Sequence, residues 1–163
     1  MSQQPDSAAT PSNRAIFERW LEAIQRRDMD VLRALAHPEF RDLYPQSGEL
    51  TVGVENLIAI IQGYPGGVES LGRDRLVGGE ERFARTPIFT MIRVDGQGDN
   101  FTGISRARYP DGSRWMILNV GEIRDGRVYR TESYFAPYFD PAPWRADRVE
   151  LRPRPGDGGP AAG

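Results

Sequence analysis

Apolar side chains near the start of the chain recur at the spacing of a helix. In residues 12–26 they stand three or four positions apart, with charged and amide side chains between them, at Ile16, Phe17, Trp20, Leu21 and Ile24. This spacing predicts an amphipathic helix, which Ser12 or Asn13 can cap. A short second helix is predicted after Asp28, and a third over Val54–Ile61.

Further along the chain the pattern becomes strand-like. Four segments alternate apolar and polar side chains, and a fifth, weaker one precedes them: Ile88–Val94, Phe101–Tyr109, Ser113–Ile123, Arg127–Ala136 and the weaker Arg73–Phe83. Turn-forming sequences separate the four clear segments: Asp95-Gly96, Pro110-Asp111-Gly112 and Asp125-Gly126. Helices followed by an antiparallel meander predict an α+β fold, with three N-terminal helices packed on an antiparallel sheet.

The predicted strand Ser113–Ile123 is apolar on both faces. One face carries Trp115, Ile117, Asn119, Gly121 and Ile123, and the other Met116, Leu118, Val120 and Glu122. Such a strand is covered on both sides. Because the helices can cover only one face of the sheet, we expect a second copy of the chain to cover the other. The prediction is a homodimer through the outer face of the sheet.

Length and composition limit the domain organisation. A chain of 163 residues is the size of one domain. We expect that domain to span residues 12–151, after a disordered N-terminus at residues 1–11 and before a flexible tail at 152–163, because both ends are rich in small and turn-forming residues. Trp144, in a Pro-flanked segment, is predicted to anchor the C-terminal segment.

Composition also argues against several functional classes. Cysteine is absent and His37 is the single histidine, which argues against thiol chemistry and a metal site, so neither metal nor cofactor is expected. All 21 basic residues are arginines, scattered along a chain of net charge −2, which argues against nucleic-acid binding. No apolar run is long enough to span a membrane, and Met1–Ala9 lacks the features of a signal peptide, so we expect a cytoplasmic protein.

Several short sequences occur in an order that points to a family. They are Trp20-Leu21-Glu22-Ala23-Ile24, Asp28-Met29-Asp30, Tyr44-Pro45-Gln46-Ser47-Gly48-Glu49, Tyr64-Pro65-Gly66-Gly67, Glu122-Ile123-Arg124-Asp125-Gly126-Arg127-Val128, Tyr134-Phe135 and Pro143-Trp144-Arg145-Ala146. With them, residues 13 to about 150 resemble the SnoaL-like branch of the nuclear transport factor 2-like superfamily. The resemblance implies a cone-shaped fold: helices close the concave side of a curved sheet around an apolar pocket for a small hydrophobic molecule.

The resemblance leaves the chemistry open, since the superfamily includes ketosteroid isomerases, epoxide hydrolases and polyketide cyclases as well as non-catalytic members. The positions that hold catalytic groups in these enzymes correspond here to Trp20, Tyr44, Asn119 and Ser133. None is a carboxylate, so the usual mechanisms do not carry over. We expect a cyclase, isomerase or dehydratase acting on a hydrophobic carbonyl compound. The alternatives are a non-catalytic binding module and a structural dimer with a vestigial pocket.

Three residues are candidates for catalysis. Asn119 either bonds to a neighbouring Tyr or Ser, or donates to a substrate carbonyl or oxyanion. Tyr44 can donate to a ligand or face water at the rim. Asp42 is either the base or a solvated loop carboxylate. The residues expected to bind substrate, as walls or polar contacts, are Trp20, Ile24, Trp115, Ile117, Thr131, Ser133 and Phe135.

The register of the last hairpin decides which side chains share a face with Asn119. A two-residue turn at Asp125-Gly126 sets Asn119 opposite Glu132, whereas a three-residue loop sets it opposite Thr131. We predict the three-residue loop, with the pocket face uncharged around Asn119 and Glu132 on the outer face. Glu132 beside Asn119 would instead indicate acid–base catalysis by that residue.

Overall fold

The computed structural model describes residues 10–63, 90–108 and 113–154. The described elements, in chain order, are α1 (Asn13–Arg26), α2 (Met29–Leu35), β1 (Ala36–Tyr44), β2 (Glu49–Val52), α3 (Val54–Gln62), β3 (Thr90–Gln97), β4 (Asn100–Arg108), β5 (Arg114–Arg124), β6 (Arg127–Pro137) and a 3₁₀ helix at Pro143–Arg148. The predicted α+β fold of three helices and a curved sheet is confirmed. The weak strand predicted at Arg73–Phe83 lies outside the described residues.

Capping side chains explain where the first two helices begin. Ser12 Oγ accepts a hydrogen bond from the backbone N–H of Ala15 at 3.2 Å, and Asp28 Oδ1 accepts one from Val31 at 3.1 Å. These are the capping bonds that small polar side chains supply at a helix start. All three helices therefore lie where the apolar spacing predicts them, and α1 and α2 begin at capping side chains.

The six strands form one sheet in the order β2-β1-β6-β5-β4-β3. Neighbouring strands are antiparallel except for β1 and β6, which run parallel and place Asp42 opposite Thr131. The sheet therefore departs from a simple meander. The parallel pair joins β1, which follows the first two helices, to β6, the last strand in the sequence. Residues far apart in sequence therefore become neighbours.

Helix α1 lies close against the inner face of the sheet. Phe17 and Leu21 are buried, and a Cβ on Gly121 would collide with Phe17, as one on Gly103 would with Leu21. Glycine inside a strand allows such close approach. This part of the inner face is therefore filled by the helix itself.

The prediction of a three-residue hairpin loop is wrong. Arg124 lies opposite Arg127, with Asp125 and Gly126 as a two-residue turn at φ 50° and 68°. Both residues at positive φ are typical of the type I′ turn that fits strand twist. The register then shifts at Tyr129, because Ile123 pairs with Val128 but Glu122 pairs with Arg130.

This β-bulge restores the predicted faces by another route. Asn119 lies opposite Ser133, and Glu132 lies opposite Val120 on the outer face. Two assignments change, however. Val128, which was predicted to face outward, is fully buried in the core. Tyr129, which was predicted on the pocket face, packs against Arg124, whose guanidinium carbon lies 3.4 Å from the centre of the tyrosine ring.

Some apolar side chains remain exposed in the described part of the chain. Val120 on the outer face is 37% exposed and Trp144 is 78% exposed. The prediction that Trp144 anchors the C-terminal segment is wrong, since its side chain is mostly exposed and the guanidinium of Arg145 lies 5.9 Å from its ring centre. None of the helices within residues 10–63, 90–108 and 113–154 is both long and apolar enough to span a bilayer.

Candidate functional site

A buried carboxylate lies on β1, the second strand from the β2 edge of the sheet. Side chains alternate between faces along β1, so Phe40, Asp42 and Tyr44 point to the side that the helices cover. Asp42 is 4% exposed and sits between paired residues of β2 and β6. The alternative of a solvated loop position is therefore wrong for Asp42.

Three hydroxyl groups surround this carboxylate. Thr131 Oγ1 donates to Asp42 Oδ1 at 2.8 Å, and Ser133 Oγ donates to the same oxygen at 3.0 Å. Burial raises the pKa of Asp42 above its ordinary value, and hydrogen bonds from Thr131, Tyr44 and Ser133 oppose that rise. Within the residues described, no arginine or histidine forms an ion pair with it. Such a carboxyl has the environment of a general base, because desolvation makes it more basic.

Asn119 is joined to the same cluster through Ser133. Its Nδ2 donates to Ser133 Oγ at 2.9 Å, and the two residues are directly opposite on β5 and β6. One of the two alternatives for Asn119, a bond to a neighbouring serine, is therefore present. The amide keeps a second N–H and its carbonyl oxygen for other partners.

The other side of the cluster is held by an amide–backbone pair. Tyr44 stacks on Phe135, with ring centres 5.8 Å apart and planes at 18°. Gln46, just beyond β1, donates from Nε2 to the carbonyl of Phe135 and accepts from its N–H, both at 2.5 Å. The Gln46 side chain thus takes the place of a strand backbone and fixes the turn after Tyr44 to β6.

The remaining predicted residues differ in position. Trp20 is 1% exposed and packs on Phe40 at 5.0 Å between ring centres, while Ile117 is buried beside Asn119 on the same face of β5. Ile24 is half-buried against the core. Trp115 stands near the start of β5, opposite Pro137, and its indole N–H donates to Ser113 at 3.0 Å. The structure does not bring Trp115 into the hydrogen-bonded cluster.

Sequence reasoning missed three polar residues that lie around this cluster. Ser105 is buried on the inner face of β4, opposite Ile117. Thr51 is buried on β2, opposite Asp42. Gln46 closes the end of β1. Only Ser105 had a usable signal, the alternation of small residues along β4, because the pairings of Thr51 and Gln46 depend on the tertiary arrangement of strands.

Across residues 10–63, 90–108 and 113–154, no three His, Asp or Glu side chains lie close enough together to hold an ion. The chemistry of the cluster is that of one carboxylate, three hydroxyls and one amide.

The chain belongs to the SnoaL-like domain family, whose sequence model matches residues 17–131. This match confirms the resemblance drawn from the short sequences. No protein of curated function matches the chain.

Solved structures share the fold at low sequence identity. An NTF-2 like protein of unknown function from Burkholderia xenovorans is 23% identical with a TM-score of 0.66, covering 86% of this chain and 94% of its own. A protein from Kribbella flavida, provisionally named a ketosteroid isomerase, is 21% identical with a TM-score of 0.68, covering 87% and 90%. An LEH-like epoxide hydrolase from M. tuberculosis is 15% identical with a TM-score of 0.52, covering 76% and 81%. These likenesses establish the NTF2-like fold.

Proposed function

We propose that the protein is a cofactor-independent enzyme of the isomerase, cyclase or dehydratase kind, acting on a hydrophobic carbonyl compound held beneath the helices. The observation that carries the proposal is Asp42, a buried carboxylate with a raised pKa and no ion-pair partner among the described residues. Names given to proteins of similar fold, a ketosteroid isomerase and an epoxide hydrolase, agree with small-molecule chemistry.

Asp42 acts as the general base. A C–H bond next to the substrate carbonyl breaks, its proton goes to a carboxyl oxygen of Asp42, and its electron pair forms the C=C bond of an enolate. The negative charge moves to the carbonyl oxygen, where the second N–H of Asn119 stabilises it. Returning the proton to another carbon completes an isomerisation without any other reactant.

Tyr44 contributes after the proton transfer. While Asp42 is ionised, the Tyr44 hydroxyl donates to it and lowers its pKa. A protonated carboxyl no longer needs that donor, so the hydroxyl turns to the substrate oxygen. Trp20, Ile24, Trp115, Ile117 and Phe135 supply apolar walls, and Thr131 and Ser133 supply the polar edge.

The carboxylate favours an enzyme over a pure binding module. A site that only sequesters an apolar ligand gains nothing from a desolvated carboxylate, whose burial costs free energy even when it is hydrogen-bonded. A buried carboxylate that costs folding free energy is understandable on the inner face of the sheet where proton transfer is required.

A thermal-shift screen of small carbonyl compounds, followed by product detection, tests the proposal. A ligand at 100 times its Kd should stabilise the protein by about 2.7 kcal/mol. Asp42→Asn should keep binding and lose turnover by about 10²- to 10⁴-fold, whereas the surface change Asp140→Asn should leave both binding and turnover unchanged. Compounds that bind wild type without being converted would indicate the binding module, and no stabilising compound at all would contradict a working pocket.

We also propose that two chains associate through the outer face of the sheet. Its apolar positions include Val120, 37% exposed at the centre of the sheet, and Phe139 and Trp144 follow β6 with even higher exposure. Light scattering should give about twice the 18.3 kDa chain mass, and Val120→Arg should restore the monomer mass. A monomer mass for wild type would contradict the dimer.

A further inference from the structure

Ser133 stands between the proposed base and the proposed oxyanion donor. Its side chain is almost fully buried, its hydroxyl donates to Asp42 Oδ1 at 3.0 Å, and its oxygen accepts from Asn119 Nδ2 at 2.9 Å. Ser133 is thus hydrogen-bonded to both Asp42 and Asn119. The hydroxyl is therefore the link between Asp42 and Asn119.

The direction of this chain of bonds follows from chemistry. An ionised carboxylate can only accept, so the single hydroxyl proton of Ser133 must point to Asp42. The oxygen of Ser133 is then left to accept, and the amide must turn its Nδ2 toward it. The charge on Asp42 thus decides which end of the Asn119 amide faces Ser133.

Charge on Asp42 also sets how strongly Ser133 holds the amide. A hydroxyl that donates to a carboxylate becomes a better acceptor, because hydrogen bonds in a chain polarise one another. When Asp42 takes up a proton, Ser133 becomes a weaker acceptor, and its hold on the N–H of Asn119 loosens.

Thr131 provides a natural contrast. It donates to the same oxygen, Asp42 Oδ1, at 2.8 Å, but it lies opposite Gly121 and has no amide beside it. Losing its hydroxyl should affect Asp42 as much as losing that of Ser133, without any route to Asn119.

We propose that Ser133 is a positioning residue that couples the protonation of Asp42 to the Asn119 amide, so that proton abstraction releases the amide toward the substrate oxygen as charge develops there. This inference rests on the proposed function and adds a role beyond substrate contact for Ser133. It makes the base and the oxyanion donor one unit.

Other titratable groups in the described part of the chain lie on the same strand or on neighbouring elements. Tyr44 is on the same strand as Asp42, and Glu49 pairs with Tyr44 at the exposed end of β2. Arg27 caps α1, and the inward side chains of β5 and β6 around Asp42 are uncharged. Coupling through Ser133 is therefore separable from direct charge effects by changing that hydroxyl alone.

An NMR titration of the isotope-labelled, ligand-free protein tests the coupling. The Asp42 carboxyl carbon and the Asn119 side-chain NH₂ signals are followed over pH. In wild type both should titrate with the same midpoint. Ser133→Ala should abolish the titration of the Asn119 signals, Ser133→Thr should restore it, and Thr131→Val should leave it intact while raising the pKa of Asp42 like Ser133→Ala.

Two results would overturn the inference. In the first, the Asn119 NH₂ signals of wild type do not titrate with the Asp42 carboxyl. In the second, they titrate with it in Ser133→Ala as they do in wild type. The first is measured without any variant, so poor folding of Ser133→Ala does not spoil the test. Either result leaves the base intact, whereas an ordinary pKa for Asp42 in the same titration would contradict the proposed function.

Discussion

The inner face of the sheet has two halves that meet the helices in different ways. At Gly103 and Gly121 the strands carry no side chain, and Phe17 and Leu21 of α1 fill the space above them. Around Asp42 the strands keep polar side chains, and these bond to one another instead of to a helix.

The contrast separates stability from chemistry within one surface. The first half gains free energy from close apolar packing. The second holds a desolvated carboxylate that packing alone would not select, and it satisfies that group with hydroxyls from β6. A substitution in the first half should therefore weaken the fold, whereas one in the second can strengthen it.

The largest expected effect on stability comes from the packed half. Gly121→Ala places a Cβ against the ring of Phe17, which should lower the free energy of unfolding by about 1–3 kcal/mol. Chemical denaturation measures this. Combining it with Phe17→Leu should recover part of the loss, while Val149→Ala, at an exposed position beyond the sheet, serves as the control. An unchanged midpoint for Gly121→Ala would contradict the close approach of α1.

A smaller loss is expected where the polar half is closed. Gln46→Ala removes both hydrogen bonds to the backbone of Phe135, which should cost about 1–2 kcal/mol. Hydrogen exchange at the Phe135 amide should accelerate more than at Val128, in the core of the same strand. Ser47→Ala, next along the exposed turn, is the control. Equal exchange in wild type and Gln46→Ala would show that the side chain does not hold the turn.

The smallest effect carries the opposite sign. The folded-state pKa of Asp42 is raised, so its contribution to stability is present below the unfolded pKa of about 3.9 and is lost as pH rises through the folded value. Asp42→Asn should therefore be more stable than wild type by about 1 kcal/mol at pH 7. Thermal unfolding should show the gain shrinking toward pH 4. A gain independent of pH would mean that the charge is not its cause.

Local sequence signals predicted the fold well. The caps at Ser12 and Asp28 mark the starts of α1 and α2, and the turn-forming Asp125-Gly126 marks the β5–β6 hairpin. Each of these depends on residues a few positions apart. The family resemblance agrees with the SnoaL-like match over residues 17–131.

The site was harder to predict because its contacts join distant parts of the chain. Asp42 and Thr131 are 89 positions apart and meet only through the parallel pairing of β1 with β6, which no periodicity reveals. The bulge at Tyr129 likewise has no glycine or proline signal at its own position. The side chains that share a sheet face with Asn119 were predicted correctly for Ile117, Thr131 and Ser133, although the loop that was expected to produce this register was wrong.

The account depends most on the state of the buried carboxyl. Direct measurement of the Asp42 pKa, from the pH dependence of its carboxyl carbon signal in the folded protein, tests it with no substrate in hand. We expect a value above that of an ordinary aspartate, rising further in Tyr44→Phe, where one hydroxyl donor is lost. A value at or below the ordinary one would contradict a desolvated base beneath the helices.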